Sequence, residues 1–582
     1  MRKFLSSILV ITLNLLTFTS VVAQSSNIPF GHESNDIVNR LEIKSGELSD
    51  EFHAVHKPYD RKGVSAFLSK IDTLSDTELT DVDLDLLDYV YRDNMEWSER
   101  GRSYTKRGIF KTFYRHPAHF LHADVPNFQI MLNPVVGLRL GMETENEAVR
   151  DFKFYRTYGF ELRGQIDDFF GFYAYVTDNQ AIYPEYVRQW IEDNNVVPGA
   201  GYYKRFRNNS GSDYFQARGY VTFSATEHVH FQFGYDKNKI GYGYRSLFLS
   251  EFSNDYLFFK INARVWKINY QTIFAQLVSK YGGPSQLDEN LERKYAAIHH
   301  ISWNIGKHFN MGVFEAVVFS RPGVFELQYL NPLIFYRSIE QAIGSPDNAM
   351  IGFDFRALIA SRLSIYGQYL IDELNFGNEL GTVTDNGETL EGGIFSPNKW
   401  WGTKFAAQLG IQYVDAFGLG NLDLQLEANF IRPYAYGHST EVANYSHYNQ
   451  PLAHPIGANV SELIAIVNYQ PLQQLRFNAK YVHSKYGADD GTTENFTYGN
   501  DIFVTHIPDN RPNEFGVDIH QGYLTKINHV ECRASYQPWH NLYIDLIYEF
   551  RKSKSELASL NDQTHFISGA VRFNIPHKSF DF

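Results

Sequence analysis

Phe259-Lys260-Ile261-Asn262-Ala263-Arg264-Val265-Trp266-Lys267-Ile268-Asn269-Tyr270-Gln271-Thr272-Ile273-Phe274 is the stretch that decides the fold. Up to Val265 the odd positions are apolar, and Lys260, Asn262 and Arg264 between them are polar. Beyond Trp266 the parity inverts, with Ile268, Tyr270 and Phe274 apolar and Asn269 and Gln271 polar. A period of two sends successive side chains to opposite faces of a strand, so two strands meet here across a tight turn and share one greasy face. The pattern recurs along most of the chain. Its cleanest case sets Leu422, Leu424, Leu426, Ala428 and Phe430 against Asp423, Gln425, Glu427 and Asn429. Large polar groups on nearly every second face predict a barrel in lipid with a wet lumen.

Working outward, the strand-like segments sum to about 18, an even number as in bacterial single-chain barrels. Their connections alternate in length. Short ones fall near Trp266, Gly306–Asn310, Asp415–Gly420 and Pro538–Asn541, and long ones over Asn179–Asp213, Lys237–Asp255, Glu373–Trp401, Pro433–Asn459 and Lys485–Gly522. Short turns belong to the periplasmic side and long loops to the outside, which puts both mature termini in the periplasm. His565–Ile575 alternates as a final strand; Pro576 breaks it, and Phe582 reads as a frayed aromatic extension. The expected class is mainly β: a transmembrane antiparallel β-barrel over 126–582, with a small N-terminal helical region over 24–125.

Arg2 and Lys3 precede an apolar run from Ile8 to Val22, and Val21-Val22-Ala23 offers small residues for cleavage. Residues 1–23 therefore read as a secretory signal peptide. Past it no stretch reaches ~18 consecutive apolar residues, so no membrane helix is predicted. Export without a membrane helix, followed by alternating strands, points to the outer membrane of a bacterium. Composition agrees, with 43% hydrophobic residues yet a mean hydropathy of −0.34, as a barrel greasy on one face requires. Aromatics at 16% suit girdles at the membrane interfaces. A net charge of −13 argues against nucleic acid as a partner. The single Cys532 rules out an intrachain disulfide and a cysteine-built zinc site, and reads as a packed thiol on a strand.

The region before the barrel has a different period. Asp60 is placed to cap a helix carrying Val64, Phe67, Leu68 and Ile71, and a second helix starts at Asp81 with Val82, Leu86, Val90 and Trp97 on one side. Ten acidic residues lie between Asp72 and Glu99, and six basic ones between Arg100 and Arg115. Two readings stay open: a plug whose basic segment contacts acidic lumen groups, or solvated charge runs beside a helical bundle.

No residue set in the chain spells catalysis, and no cofactor or metal is expected. His438, His447 and His454 share one loop, with Asp372 and Glu373 ending a strand on the same side, but histidines in a polar loop are more often hydrogen-bonding surface residues than general bases, and the spacing of His116, His119 and His122 is interrupted by Pro117. The aromatic pairs Tyr202-Tyr203 and Trp400-Trp401, beside Lys204, Arg205, Asn398 and Lys399, are better candidates. Aromatic faces stack on sugar rings, and nearby amides and cations bind hydroxyls or uronates. The candidate glycan-binding residues are Tyr202, Tyr203, Trp400, Trp401, His447 and His454.

Phe233-Gly234-Tyr235-Asp236 with Gly241-Tyr242-Gly243-Tyr244-Arg245-Ser246-Leu247-Phe248-Leu249-Ser250 and, most specifically, Glu326-Leu327-Gln328-Tyr329-Leu330-Asn331-Pro332-Leu333-Ile334-Phe335-Tyr336 are runs that resemble the Wzi-type capsule-assembly barrels. Lys57-Pro58-Tyr59-Asp60-Arg61 and Tyr445-Ser446-His447-Tyr448-Asn449-Gln450-Pro451 look like a gliding-motility branch of the RemB kind. The resemblance implies a barrel with an associated helical bundle that binds or organises surface polysaccharide, or supports gliding, without catalysis. Its implied partners are outer-membrane lipid, surface polysaccharide, and motility or secretion-apparatus proteins. The alternatives are an outer-membrane porin or uptake channel and, after it, a barrel-embedded hydrolase.

Overall fold

The computed structural model describes residues 26–582 apart from 74–78, 103–112, 146–147, 168–169, 208–209, 284–289, 322–325, 333–335, 337, 340–346, 374–381, 384–388, 391–398 and 492–495. The signal-peptide reading, Asn398 and most of the Glu373–Trp401 loop lie outside the described residues.

Eighteen antiparallel strands close a barrel among the described residues. The first six are β1 (Phe128–Glu145), β2 (Ala148–Ile166), β3 (Phe170–Ile182), β4 (Gly211–Ser224), β5 (Val229–Asp236) and β6 (Tyr256–Val265). Next come β7 (Ile268–Val278), β8 (Arg293–Ile305), β9 (Phe309–Phe319), β10 (Asn348–Ile359), β11 (Leu363–Glu373) and β12 (Lys404–Tyr413). The last are β13 (Leu422–Ile431), β14 (Val460–Leu472), β15 (Leu475–Ala488), β16 (Tyr523–Trp539), β17 (Leu542–Ser555) and β18 (Asp562–Phe573). Closure joins β18 to β1, from Phe573 opposite Val136 to Thr564 opposite Glu145. At one end every connection is short, 414–421 being the longest; the other end carries the long ones.

The parity rule holds at the wall. Leu426, Leu546 and Ile567 are exposed on the outer face, while Glu427, Asn429 and Asp545 are buried on the inner one. Trp266 takes a positive φ of 55° in the two-residue turn where the parity inverts. Cys532 is on a strand as expected, but it is exposed, not packed.

The lumen that the alternation predicts to be wet is largely filled by protein. Helices α1 (Glu33–Ser45), α2 (Arg61–Thr73) and α3 (Asp81–Asp93) occupy the short-turn mouth. Asp60 caps α2 by accepting from the Gly63 N–H at 2.7 Å, and Val64, Phe67, Leu68 and Ile71 are all buried. Thr80 and Asp83 form a reciprocal capping box on α3. Helix α1 escaped the sequence reading. Its Arg40 and Lys44 bond Asp83 on α3 and Asp415 in a short turn, and its Glu42 accepts from Arg356 of β10 at 2.5 Å. Among the basic residues placed after these helices, Arg100 pairs with Asp72 and Asp88 of the bundle itself.

Two connections expected outside also turn inward. Residues 237–255 dive into the lumen, where Lys239 and Ile240 pair with Lys57 and His56 before α2. Leu247, Phe248 and Leu249 then join one apolar core with Val64 and Leu68 of the bundle and Phe258, Ile273 and Phe314 of the wall. The physical reason is in the run itself: burying a Leu or Phe side chain contributes about 1.5–3 kcal/mol, and this loop presents three in a row. The connection 432–459 covers it, with the Tyr436 hydroxyl donating to the Leu247 carbonyl at 2.9 Å.

The segment after β18 is not a frayed extension. At Asn574 it turns, and Ile575–Phe582 runs back up the lumen; Phe580 and Phe582 pack with Tyr183, Tyr186 and Val187. Asp581 accepts from Lys480 and Arg245, so charges on the wall and the inward loop hold the segment.

Candidate functional site at the long-loop end

The connection between β3 and β4 forms helix α4 (Glu185–Asn194), preceded by Pro184. One face buries Tyr186, Val187 and Ile191, and the Tyr186 hydroxyl donates to the Phe580 carbonyl at 2.8 Å. The other side borders a cleft of about 530 Å³. Its opposite walls come from Pro455–Gly457, from Asn500–Phe503 and from the tops of β15 and β17; Phe582 lies at its base.

The chemistry of the cleft is mixed. Trp190 is half-buried, its ring edge-on to Phe252 at 6.0 Å and tilted against Phe582 at 5.2 Å. Phe503 and Tyr486 stand on other walls, also half-buried. Asp193, Asp501 and Asn561 are exposed on the lining. Arg551 is committed, donating to both oxygens of Asp562 at 2.8 and 2.9 Å with its guanidinium 4.7 Å from the Tyr186 ring centre. Aromatic rings flanked by carboxylates and amides suit a polyhydroxylated ligand: the rings take C–H faces and the oxygens take hydroxyl protons.

The six residues singled out in the sequence do not converge. Tyr203 is 2% exposed and packs with Tyr183, Tyr214 and Phe580, behind the surface. Tyr202 remains half-buried at the rim, following Gly201, which abuts the Tyr448 ring. Trp400 is buried over Gly402. Trp401 is half-buried, with the Arg511 guanidinium 3.9 Å from its ring centre and His506 at 4.9 Å. The tandem tryptophans thus anchor the 505–518 segment, away from the cleft.

The structure places His447 and His454 as struts inside the long-loop cap. His447 accepts the Val278 N–H at its Nδ1, 3.0 Å away, and its Nε2 lies 3.0 Å from the Asp255 carbonyl. Accepting at one nitrogen and donating at the other requires the neutral ring, a tautomer assigned from these partners. Burial holds its pKa down to about 3, consistent with that state. His454 is fully buried; its Nε2 reaches Glu462 at 2.9 Å and its Nδ1 accepts from the Ile456 N–H. Neither ring offers an atom to a ligand. Trp190 was missed, although Glu185-Tyr186-Val187-Arg188-Gln189-Trp190-Ile191 carries the i, i+1, i+5 apolar spacing of a short amphipathic helix.

A known structure shares this architecture. Wzi, an outer membrane protein involved in group 1 capsule assembly in Escherichia coli and described as a carbohydrate-binding β-barrel, aligns over 96% of this chain and 100% of its own at a TM-score of 0.51, with 13% identity. The chain has the fold of that barrel. OprD of Pseudomonas aeruginosa aligns over 75% of this chain and 94% of its own, with 11% identity and a TM-score of 0.37. OccK7 (OpdD) of the same organism gives 10% identity and a TM-score of 0.39 over 76% of this chain and 98% of its own. No family model and no curated protein matches the sequence.

Proposed function

We propose that this protein is a non-enzymatic outer-membrane barrel that binds surface polysaccharide at its long-loop end. The cleft beside α4 carries the reading, because it sets Trp190, Phe503 and Tyr486 among carboxylates and amides at one mouth of a filled barrel. The exposed apolar wall supports insertion in lipid, and loop lengths support an outward-facing cleft, with α1–α3 as a periplasmic plug and residues 1–23 as the export signal. Wzi, whose fold the chain shares, is described as binding carbohydrate. A lumen crossed by the plug, the inward loop and the 575–582 segment disfavours a diffusion channel.

Retention of surface polysaccharide by the producing cells tests the reading. Cells carrying Trp190→Ala with Phe503→Ala are expected to shed polysaccharide while the folded, heat-modifiable barrel persists in normal amount. Full retention at normal barrel level would remove the cleft from the account.

A further inference from the structure

The inner wall of β5, β6 and β7 carries three polar rungs at the short-turn end. Lys260 pairs in register with Gln232, Asn262 with His230 and Gln271, and Arg264 with Asn269. Residues 53–60, before α2, face them, and between the two lies a cavity of about 430 Å³ that reaches Glu227 and Trp266 at the mouth. This cavity is remote from the cleft beside α4 and shares no lining residue with it.

Its walls have unused bonding capacity. Lys260 is 6% exposed, donates to Asn238 Oδ1 at 3.0 Å, and among the described residues meets no carboxylate within 4.0 Å. Buried cations are ordinarily paired. The side-chain carbonyl oxygens of Asn262, Asn269 and Gln271 are buried and accept no hydrogen bond, with Asn269 4% and Gln271 5% exposed as residues. Native proteins ordinarily satisfy such acceptors, with protein groups, water or a ligand. Of the carboxylates on the lining, Glu51 pairs with Lys70 at 2.6 Å, Asp60 caps α2 and Glu227 lies 3.4 Å from His228 at the mouth; Asp236, which acts on Lys260 at longer range, pairs with Arg218 at 3.7 Å. Arg264 adds a second cation two rungs nearer the mouth than Lys260.

A carboxylate would answer the lysine, and hydroxyl protons would answer the three carbonyl oxygens. A simple anion supplies only the first, and a neutral sugar only the second. We infer that this pocket binds a sugar acid of the hexuronate class, with its carboxylate toward Lys260 and its hydroxyls on Asn262, Asn269 and Gln271. The volume falls within the range of small-ligand pockets, and the opening lies at the short-turn mouth.

Calorimetric titration of the full-chain barrel in detergent with D-glucuronate, D-glucose and acetate decides the matter. Glucuronate is expected to bind saturably and at least tenfold more tightly than either glucose or acetate. Lys260→Met keeps the side-chain stem and is expected to weaken glucuronate at least tenfold. Gln271→Glu, nearly isosteric but anionic, is expected to do the same and decides the question if the lysine variant does not fold. Absence of glucuronate binding, equal affinity for glucuronate and acetate, or wild-type affinity in a folded Gln271→Glu barrel would overturn the inference. None of these outcomes touches the cleft, whose readout is polysaccharide.

Discussion

Asp581 accepts a hydrogen bond from the Arg245 guanidinium at 2.9 Å, although the two lie 336 positions apart in the chain. Arg245 also donates to both oxygens of Glu462, at 3.0 and 3.1 Å, which ties the inward loop and the 575–582 segment to β14. Every member of this cluster is buried. A buried ion pair adds little net stability against an apolar substitute, but deleting one partner strands the others. Arg245→Ala removes a guanidinium shared by two buried carboxylates, leaving Asp581 with Lys480 and Glu462 with the His454 ring, and is expected to destabilise the barrel by about 3 kcal/mol. Urea unfolding in detergent reads this, and an unchanged midpoint would contradict the clasp.

Leu426 is 51% exposed on the outer wall, and its neighbour Gln425 donates inward to the Tyr366 hydroxyl at 2.8 Å. Arginine on the lipid face costs roughly 2–4 kcal/mol near the bilayer midplane. Leu426→Arg is expected to reduce the heat-modifiable barrel much more than Gln425→Arg. Equal yields from the two variants would mean that the wall has been assigned the wrong way round.

His447 makes stability in the long-loop cap depend on pH. Its folded pKa of about 3 lies below the ordinary 6.5, so the unfolded segment takes up a proton first as pH falls. Its contribution is complete above about pH 6.5 and is lost as pH falls through that value toward 3. Proteolytic nicking near His447 should accordingly rise between pH 6.5 and 4, and His447→Phe should nick readily at every pH. A wild-type profile flat over that window would exclude the strut role.

The filled lumen has an electrical consequence. Purified full-length barrel in a planar bilayer is expected to show no stable open-channel steps. Replacing residues 239–250 with a Gly-Ser linker should introduce them by emptying the core around Phe248. Porin-sized steps from the unaltered protein would restore the channel alternative.

The wall was legible in the sequence because lipid imposes one rule on every strand. Phe259 to Phe274 already contain the strand period, the turn and the change of parity, and the strand total follows by repetition. The interior was not legible for a related reason. Alternation specifies that Gln368 or Glu427 faces inward, but not whether water or protein meets it, and here Gln368 accepts from the Leu247 N–H at 2.8 Å. Apolar residues such as Leu247 and Phe248 in a long connection look the same whether the loop caps the barrel or enters it. The cleft was hidden for a similar reason. Tandem aromatics attract attention in a sequence, yet Trp401 was matched to Arg511 across a long gap, while Trp190 depended on a short helix and on Phe582 at the far end of the chain.

Equilibrium binding of fragments of the producer's own surface polysaccharide to the purified barrel, followed by calorimetry, tests the central claim most directly. The account predicts saturable binding that weakens at least tenfold in the folded Trp190→Ala, Phe503→Ala barrel and persists in Trp401→Ala. Absence of binding, or equal affinity in the cleft variant and the unaltered protein, would contradict it.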